Sequence, residues 1–217
     1  MIRACIFDMD GVIVDSAKYH FAAWQRLARE LSIEFTVQDN ELLKGRSRVD
    51  SLDKILQMGG MELDNDTKLS LMNKKNEWYL DMITEMSPKE ILPGVAKFII
   101  DIKAAGLLIS LGSSSKNARK ILSAIDLLET FDAVVDGNDV TFSKPDPEVF
   151  LKGANKLGVR PSETVVFEDA QSGIKAAING GFHCVGVGEE GALKEAHHII
   201  PNFTHFSLAE LQQRFDS

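Results

Sequence analysis

The stretch Ala4-Cys-Ile-Phe7-Asp8-Met-Asp10-Gly11-Val-Ile-Val-Asp15 governs the reading of the whole chain. Four apolar residues without polar alternation describe a strand buried on both faces, as in a parallel sheet. Two carboxylates follow it at once, two positions apart, and Gly11 lets the chain turn sharply away. Ligands of open α/β sheets bind beyond the carboxyl ends of the strands, so Asp8 and Asp10 point toward that crevice. Taken alone, such an acidic turn is equally an ordinary solvated one.

Further short apolar runs follow at Leu107–Leu111, Ala133–Val135, Thr164–Phe167 and Cys184–Val187, and read as strands of the same sheet. Between them run stripes with helical period: Val95, Phe98, Ile99 and Ile102; Ala118, Ile121, Leu122 and Ile125; Ile174, Ala177 and Ile178. This alternation implies right-handed βαβ crossovers. Residues 15–87 break the rhythm, with three helical stripes and no strand. The first runs through Ala17, Phe21, Trp24, Leu27, Ala28 and Leu31, the second through Leu52, Ile55 and Leu56, and the third through Leu69, Met72, Tyr79, Ile83 and Met86. The expectation is an α/β core domain, residues 1–14 and 88–217, carrying an inserted all-helical cap domain, residues 15–87.

The bulk numbers narrow the class. The 217 residues are 44% hydrophobic and 26% charged, an ordinary globular composition. No apolar run approaches the roughly 20 residues needed to cross a bilayer. The N-terminal run is interrupted by Asp8 and Asp10 before it could form a signal-peptide core. A soluble cytoplasmic protein without a membrane partner is expected, and a monomer. The net charge is −8, and no Lys/Arg block suggests a nucleic-acid face. An acidic chain that binds phosphate must reverse its own field with a metal or a few cations, so each Lys and Arg near the crevice is informative. Cys5 and Cys184 lie in strand-like runs and read as buried apolar thiols.

Three later stretches fall at strand ends that parallel topology would bring beside Asp8. Gly112-Ser113-Ser-Ser115-Lys116-Asn117 opens a helix, where hydroxyls and free N–H groups can cradle phosphate or simply cap the helix. Lys144-Pro-Asp-Pro147 puts a lysine before a proline-set turn whose first peptide could be cis or trans. Glu168-Asp169 closes a buried strand with two carboxylates, a costly arrangement unless they meet a cation or the solvated start of a helix. Carboxylates from the first and fourth strands make an oxygen-rich site suited to Mg²⁺ rather than zinc. There is no Walker loop, no GxGxxG after a strand and no GxSxG elbow.

The ordered set Asp8-x-Asp10-Gly11, Ser113, Lys144 and Glu168-Asp169 resembles the haloacid dehalogenase superfamily over nearly the whole chain. The resemblance implies a Rossmann-like core, an aspartyl-phosphate intermediate and a Mg²⁺ cofactor. It implies that Asp8 is the nucleophile and that Asp10 is the general acid and base, lending a backbone carbonyl to the metal. Ser113 and Lys144 would hold the transferring phosphoryl group. Asp169 would bind the metal, and Glu168 would be its ligand or the neighbour of one.

The cap selects the substrate in this superfamily. Here it carries Lys44-Gly45-Arg46-Ser-Arg48-Val-Asp-Ser51, two guanidiniums and an ammonium beside a glycine, which could grip a phosphate or form a solvated turn. His20 lies one helical turn before Trp24, and Lys75 lies on the third cap stripe. Together with Ser115-Lys116-Asn117 these residues resemble the β-phosphoglucomutase family. That resemblance implies interconversion of β-glucose 1-phosphate and glucose 6-phosphate through a β-glucose 1,6-bisphosphate. Arg48, Ser115, Lys116 and Asn117 would take the phosphate that is not being transferred, and Lys44, Gly45, Arg46 and Ser51 would border the sugar, with His20, Trp24 and Lys75 also at the substrate. Ser16 stands at the core–cap hinge where threonine is the family's residue. A sugar-phosphate or phosphoglycolate-type phosphatase on the same scaffold is the competing expectation, and a non-catalytic phosphosugar-binding protein a remote one.

Overall fold

A computed structural model describes residues 1–43 and 46–216. Six strands form one parallel sheet in the order β3-β2-β1-β4-β5-β6. They are β1 (Ala4–Phe7), β2 (Leu108–Gly112), β3 (Ala133–Val135), β4 (Thr164–Glu168), β5 (His183–Val187) and β6 (His198–Ile200). The chain builds outward from β1 in one direction through β2 and β3, then returns to the other side of β1 for β4. The reversal makes the carboxyl end of β1 a topological switch point, where open α/β sheets bind ligands. Phe7 is level with Leu111 and Phe167 in this register, so Asp8 emerges between the ends of β2 and β4. The Asp8 amide donates to the Phe167 carbonyl at 3.0 Å, extending the ladder by one residue and fixing where the side chain starts.

The sheet is covered on both faces. The helices α5 (Val95–Ala104), α6 (Ala118–Ala124) and α9 (Leu208–Phe215) pack with Phe7, Phe98, Phe167 and Phe203 in one cluster. The rings of Phe7 and Phe167 stack with centroids 4.9 Å apart, directly below Asp8 and Glu168. Full burial of each phenyl contributes roughly 1.5–3 kcal/mol, so the two strand ends carrying the acids are anchored from beneath. The helices α7 (Glu148–Leu157) and α8 (Gln171–Asn179) cover the opposite face through Phe150, Ala154, Ile174 and Ala177.

Between β1 and α5 lie α1 (Ala17–Glu30), α2 (Val37–Glu41), α3 (Arg48–Met58) and α4 (Asn65–Ile83). Their starts follow from capping: Thr36 and Asp39 form a reciprocal capping box, and Ser47 and Asp64 each accept from the third residue of the helix they begin. Trp24, Leu27, Phe35, Leu52, Ile55 and Leu56 form a separate apolar cluster within these helices. Tyr79 and Ile83 of α4 pack instead with the sheet-side cluster, so α4 joins the helical insertion to the core.

The expected stripes are mostly buried, with two corrections. Leu69 is 55% exposed and Ile178 is 36% exposed, Ala176 taking the buried place on α8. Strand β6 was not expected: three residues between His197 and Pro201 give too short a run to show a period. Lys144–Pro145 is cis. Among the described residues no helix is long and apolar enough to cross a membrane. Cys5 and Cys184 are buried and unbonded, and burial pushes both thiols well up from their usual range.

Candidate active site

Asp8, at the end of β1, is 7% exposed. Lys144 Nζ donates to its Oδ1 at 2.6 Å and to Glu168 Oε1 at 2.7 Å, while Glu168 Oε2 accepts from the Ala170 amide at 2.7 Å. One ammonium thus bridges two carboxylates, with the Phe150 ring 4.7 Å from it on the sheet side. Burial works against the Lys144 charge, but Asp8 and Glu168 outweigh it and hold its pKa above the usual lysine range. Burial and then Asp8 raise Glu168, against the pull of Lys144. Lys144 and Glu168 are both buried, and in this geometry the lysine meets an Asp8 oxygen directly.

Asp169 completes the acidic group. Ligand oxygens of Asp8, Glu168 and Asp169 all lie within 4.8 Å of one another. Two glycines make this convergence possible. Gly11 has φ +80, and a Cβ there would meet Asp169 Oδ2 at 2.2 Å; a Cβ on Gly173 would meet Glu168 Oε1 at 1.7 Å. A buried set of hard carboxylate oxygens fits a divalent cation such as Mg²⁺, and among these groups there is no thiolate or imidazole to favour zinc. The Asp10 side chain lies outside the set and accepts from the Ser16 hydroxyl. Burial and then Asp8 push Asp10 up to about 8, against Lys144 and Lys75. A carboxyl titrating near neutrality can both give and take a proton at the working pH.

Above Asp8 opens a cavity of about 670 Å³ between the sheet ends and the helical insertion. It brings together Asp8, Asp10, His20, Trp24, Arg46, Arg48, Ser51, Lys75, Ser113, Ser115, Lys116, Asn117 and Asp169, which the sequence placed in one site. Lys44 and Gly45 lie outside the described residues. Ser113 is buried and its Oγ accepts from the Ser115 amide at 3.1 Å, as Ser115 Oγ does from Asn117 at 3.2 Å. A hydroxyl that accepts keeps its own proton, so both remain able to donate. Arg46 is exposed at the rim, its Nε donating to the Leu42 carbonyl at 2.7 Å.

The insertion's side of the cavity is cationic. Lys75 is 2% exposed, with Nζ 2.9 Å from His20 Nδ1 and 4.6 and 4.8 Å from the Trp24 and Tyr79 ring centres. Burial first, then Arg48, brings Lys75 down to about 7, with Asp10 opposing. Burial, Lys75 and Arg48 likewise hold His20 well below its usual value. When Lys75 is protonated it only donates, so His20 Nδ1 is then the acceptor and Nε2 carries the hydrogen. Lys75 has a stability consequence. Its pKa falls from 10.5 in the unfolded chain to about 7 in the fold, so across that window the unfolded state binds more protons and this group's contribution to stability rises with pH. Lys75→Met should stabilise the fold at pH 7, an advantage that shrinks toward pH 10.5. Urea melts of both proteins across that range check this; an advantage that grows with pH would contradict it.

Several lining residues were not foreseen. Asn76, next to Lys75, accepts through Oδ1 from Arg48 Nη2 at 2.7 Å and from Asn117 Nδ2 at 2.8 Å. Ser143, beside Lys144, donates to Asp50 Oδ2 at 2.8 Å and so ties the core to the start of α3. Neither contact has a sequence signature, since each depends on how two distant segments meet.

Residues 2–181 match the family model of haloacid dehalogenase-like hydrolases. The chain belongs to this family. A β-phosphoglucomutase of Bacillus subtilis (strain 168) is 38% identical over 217 residues, 99% of this chain and 96% of the relative. The crystal structure of a β-phosphoglucomutase from Clostridium difficile superposes with a TM-score of 0.97 at 37% identity, covering 100% of this chain and 98% of that one. A fructose-1-phosphate phosphatase of Escherichia coli (strain K12) is 32% identical over 187 residues, 84% of this chain and 94% of the relative. Mutases and phosphatases of the haloacid dehalogenase-like family thus both resemble the chain, and the distinction between them rests on the cavity.

Proposed function

We propose that the protein is a β-phosphoglucomutase, working through phospho-Asp8 and a β-glucose 1,6-bisphosphate. What supports this reading is that one cavity is lined by two sets of groups able to bind anions. Asp8 and Ser113 form one, at the sheet ends; Arg48, Ser115, Lys116 and Asn117 form the other. A sugar bearing two phosphates needs both sets at once, whereas hydrolysis of a single phosphate requires one.

Residues 15–87 act as a cap domain over a core of residues 1–14 and 88–217. The Asp8 carboxylate, the Glu168-Asp169 pair and the Asp10 backbone carbonyl would hold Mg²⁺, which would screen the negative charge between nucleophile and phosphoryl group. In the first half-reaction, phospho-Asp8 gives its phosphoryl group to the 6-oxygen of β-glucose 1-phosphate, and Asp10 takes the hydroxyl proton. The bisphosphate then turns over in the cavity. A carboxylate oxygen of Asp8 attacks the 1-phosphorus, the bond to the sugar oxygen breaks, and Asp10 returns the proton to that oxygen. Glucose 6-phosphate leaves and phospho-Asp8 is restored, so charge and protons balance over the cycle. Ser113 donates to the transferring group, and Lys144 orients the Asp8 oxygen that it binds. Closure of the cap over the sheet ends excludes the water that would hydrolyse phospho-Asp8.

The test is a coupled assay of glucose 6-phosphate made from β-glucose 1-phosphate, with Mg²⁺ and a trace of the bisphosphate, alongside released inorganic phosphate. Rapid glucose 6-phosphate formation with little free phosphate is expected. Phosphate release without isomerised product would sink the mutase reading in favour of a phosphatase. In the same assay Arg48→Ala should lower kcat/KM roughly a hundredfold or more, because it removes the charged contact to the second phosphate. A phosphatase using only the Asp8 side of the cavity would lose far less.

A further inference from the structure

The second anion-binding set contains an acceptor as well as donors. Arg48 begins α3, Asn117 precedes α6, and Asn76 is on α4; three distant segments meet at the single atom Asn76 Oδ1. Arg48 Nη2 donates to it at 2.7 Å and Asn117 Nδ2 at 2.8 Å. Arginine has no acceptor, so the oxygen of Asn76 must face it, and Asn117 must then present its NH₂ group. Asn117 is buried and Arg48 half-buried, and a desolvated donor left unpaired is destabilising.

We propose that Asn76 is an internal competitor for the second phosphate site: its amide oxygen occupies a place that a phosphate oxygen takes when substrate binds. The proposal rests on the reading of Arg48 and Asn117 as phosphate ligands. A neutral amide oxygen satisfies the two donors whenever no phosphate is bound and keeps them aimed at one point. It is also the weaker acceptor, since charge-assisted bonds to an anion are about twice as strong as neutral ones, and a phosphate can meet a guanidinium with two oxygens. Asn76 is therefore displaceable, and a carboxylate at the same position would not be. This sets the hold on the non-reacting phosphate. A bisphosphate must release one phosphate from this site and present the other end during each cycle, so an acceptor that helps to replace the departing phosphate favours turning over rather than trapping.

The sign of three variants tests the idea. Binding of inorganic phosphate is measured calorimetrically on the full-length protein, and KM and kcat are measured in the coupled assay. Asn76→Asp puts a charged competitor on Arg48 and should weaken phosphate binding about tenfold or more. Asn76→Ala removes the competitor and should tighten phosphate binding a few-fold, with the gain appearing in KM rather than kcat. In an Arg48→Ala background the Asn76→Asp effect should shrink, which places it at this site and away from Asp8. Weakening by Asn76→Ala would make Asn76 a direct phosphate ligand and overturn the proposal. So would an Asn76→Asp effect that persists without Arg48, or no response to either substitution. The phosphate titration does not depend on turnover, so a failed mutase assay leaves it intact, and a failed titration leaves the mutase assay intact.

Discussion

Asp8→Asn is expected to lower glucose 6-phosphate formation on the order of 10⁴-fold or more, as removal of a covalent nucleophile does elsewhere. The amide is nearly isosteric with the carboxylate, and its oxygen can still accept from Lys144 Nζ, which lies 2.6 Å from Asp8 Oδ1. The Asp8 amide's bond to the Phe167 carbonyl belongs to the backbone and is untouched. What disappears is the anionic oxygen that attacks phosphorus, so folding should survive while chemistry stops. Asp10→Asn is the informative companion. It keeps the nucleophile and removes the proton carrier, so it should still accept a phosphoryl group from a bisphosphate, slowly, and then fail to complete a cycle. Intact-protein mass spectrometry separates the two: a phosphorylated species in Asp10→Asn and none in Asp8→Asn. Label on both would move the nucleophile away from Asp8, and the covalent cycle proposed above would have to be abandoned.

The same residues show what the sequence could and could not disclose. Phe7, Leu111 and Phe167 lie level in the sheet because three apolar runs pair in parallel, and each run ends in residues of the candidate site. Position along the chain and position in the site are therefore nearly the same information, and Asp8, Ser113 and Glu168 were legible. The helical insertion was legible by its missing strands, though its short α2 was not. Lys144 was legible as a residue of the site but not in its bond to Asp8, because which oxygen an ammonium meets is decided by packing against Phe150 and Glu168. Asn76 was invisible for a related reason. Lys75 and Asn76 are neighbours on one helix, yet one reaches His20 and the other Arg48, and only the seating of α4 between α1 and α3 decides that. Leu69 misled in the opposite direction: it keeps the helical period but faces the open cavity, where an apolar residue is half solvated.

Replacing Lys144 by methionine should produce the largest combined effect on stability and activity. Lys144 is 4% exposed and is the cation bonded to both Asp8 and Glu168, with Asp169 close enough to share a ligand site with them. Removing one partner of a buried ionic group costs about 3–5 kcal/mol, because the charge left behind is neither solvated nor paired. Part of that loss is relieved by proton uptake, since burial already raises Glu168 and the missing ammonium would raise it further. The destabilisation should therefore be larger at pH 8 than at pH 5, where a protonated carboxyl needs no cation. A divalent cation should do what the ammonium did. The variant's acidic group is more negative than the wild type's, so Mg²⁺ should raise the variant's melting temperature by more than it raises the wild type's, following the linkage of ligand binding to folding. Activity should not return with stability. Asp8 would lose the bond that aims its oxygen, and a fall of roughly 10²–10³-fold in kcat is the scale for losing one preorganised donor. Thermal melts with and without Mg²⁺ at both pH values give the answer without any assay of turnover. A variant whose melting temperature ignores Mg²⁺ would mean that Asp8, Glu168 and Asp169 do not form a cation site, however close their oxygens lie.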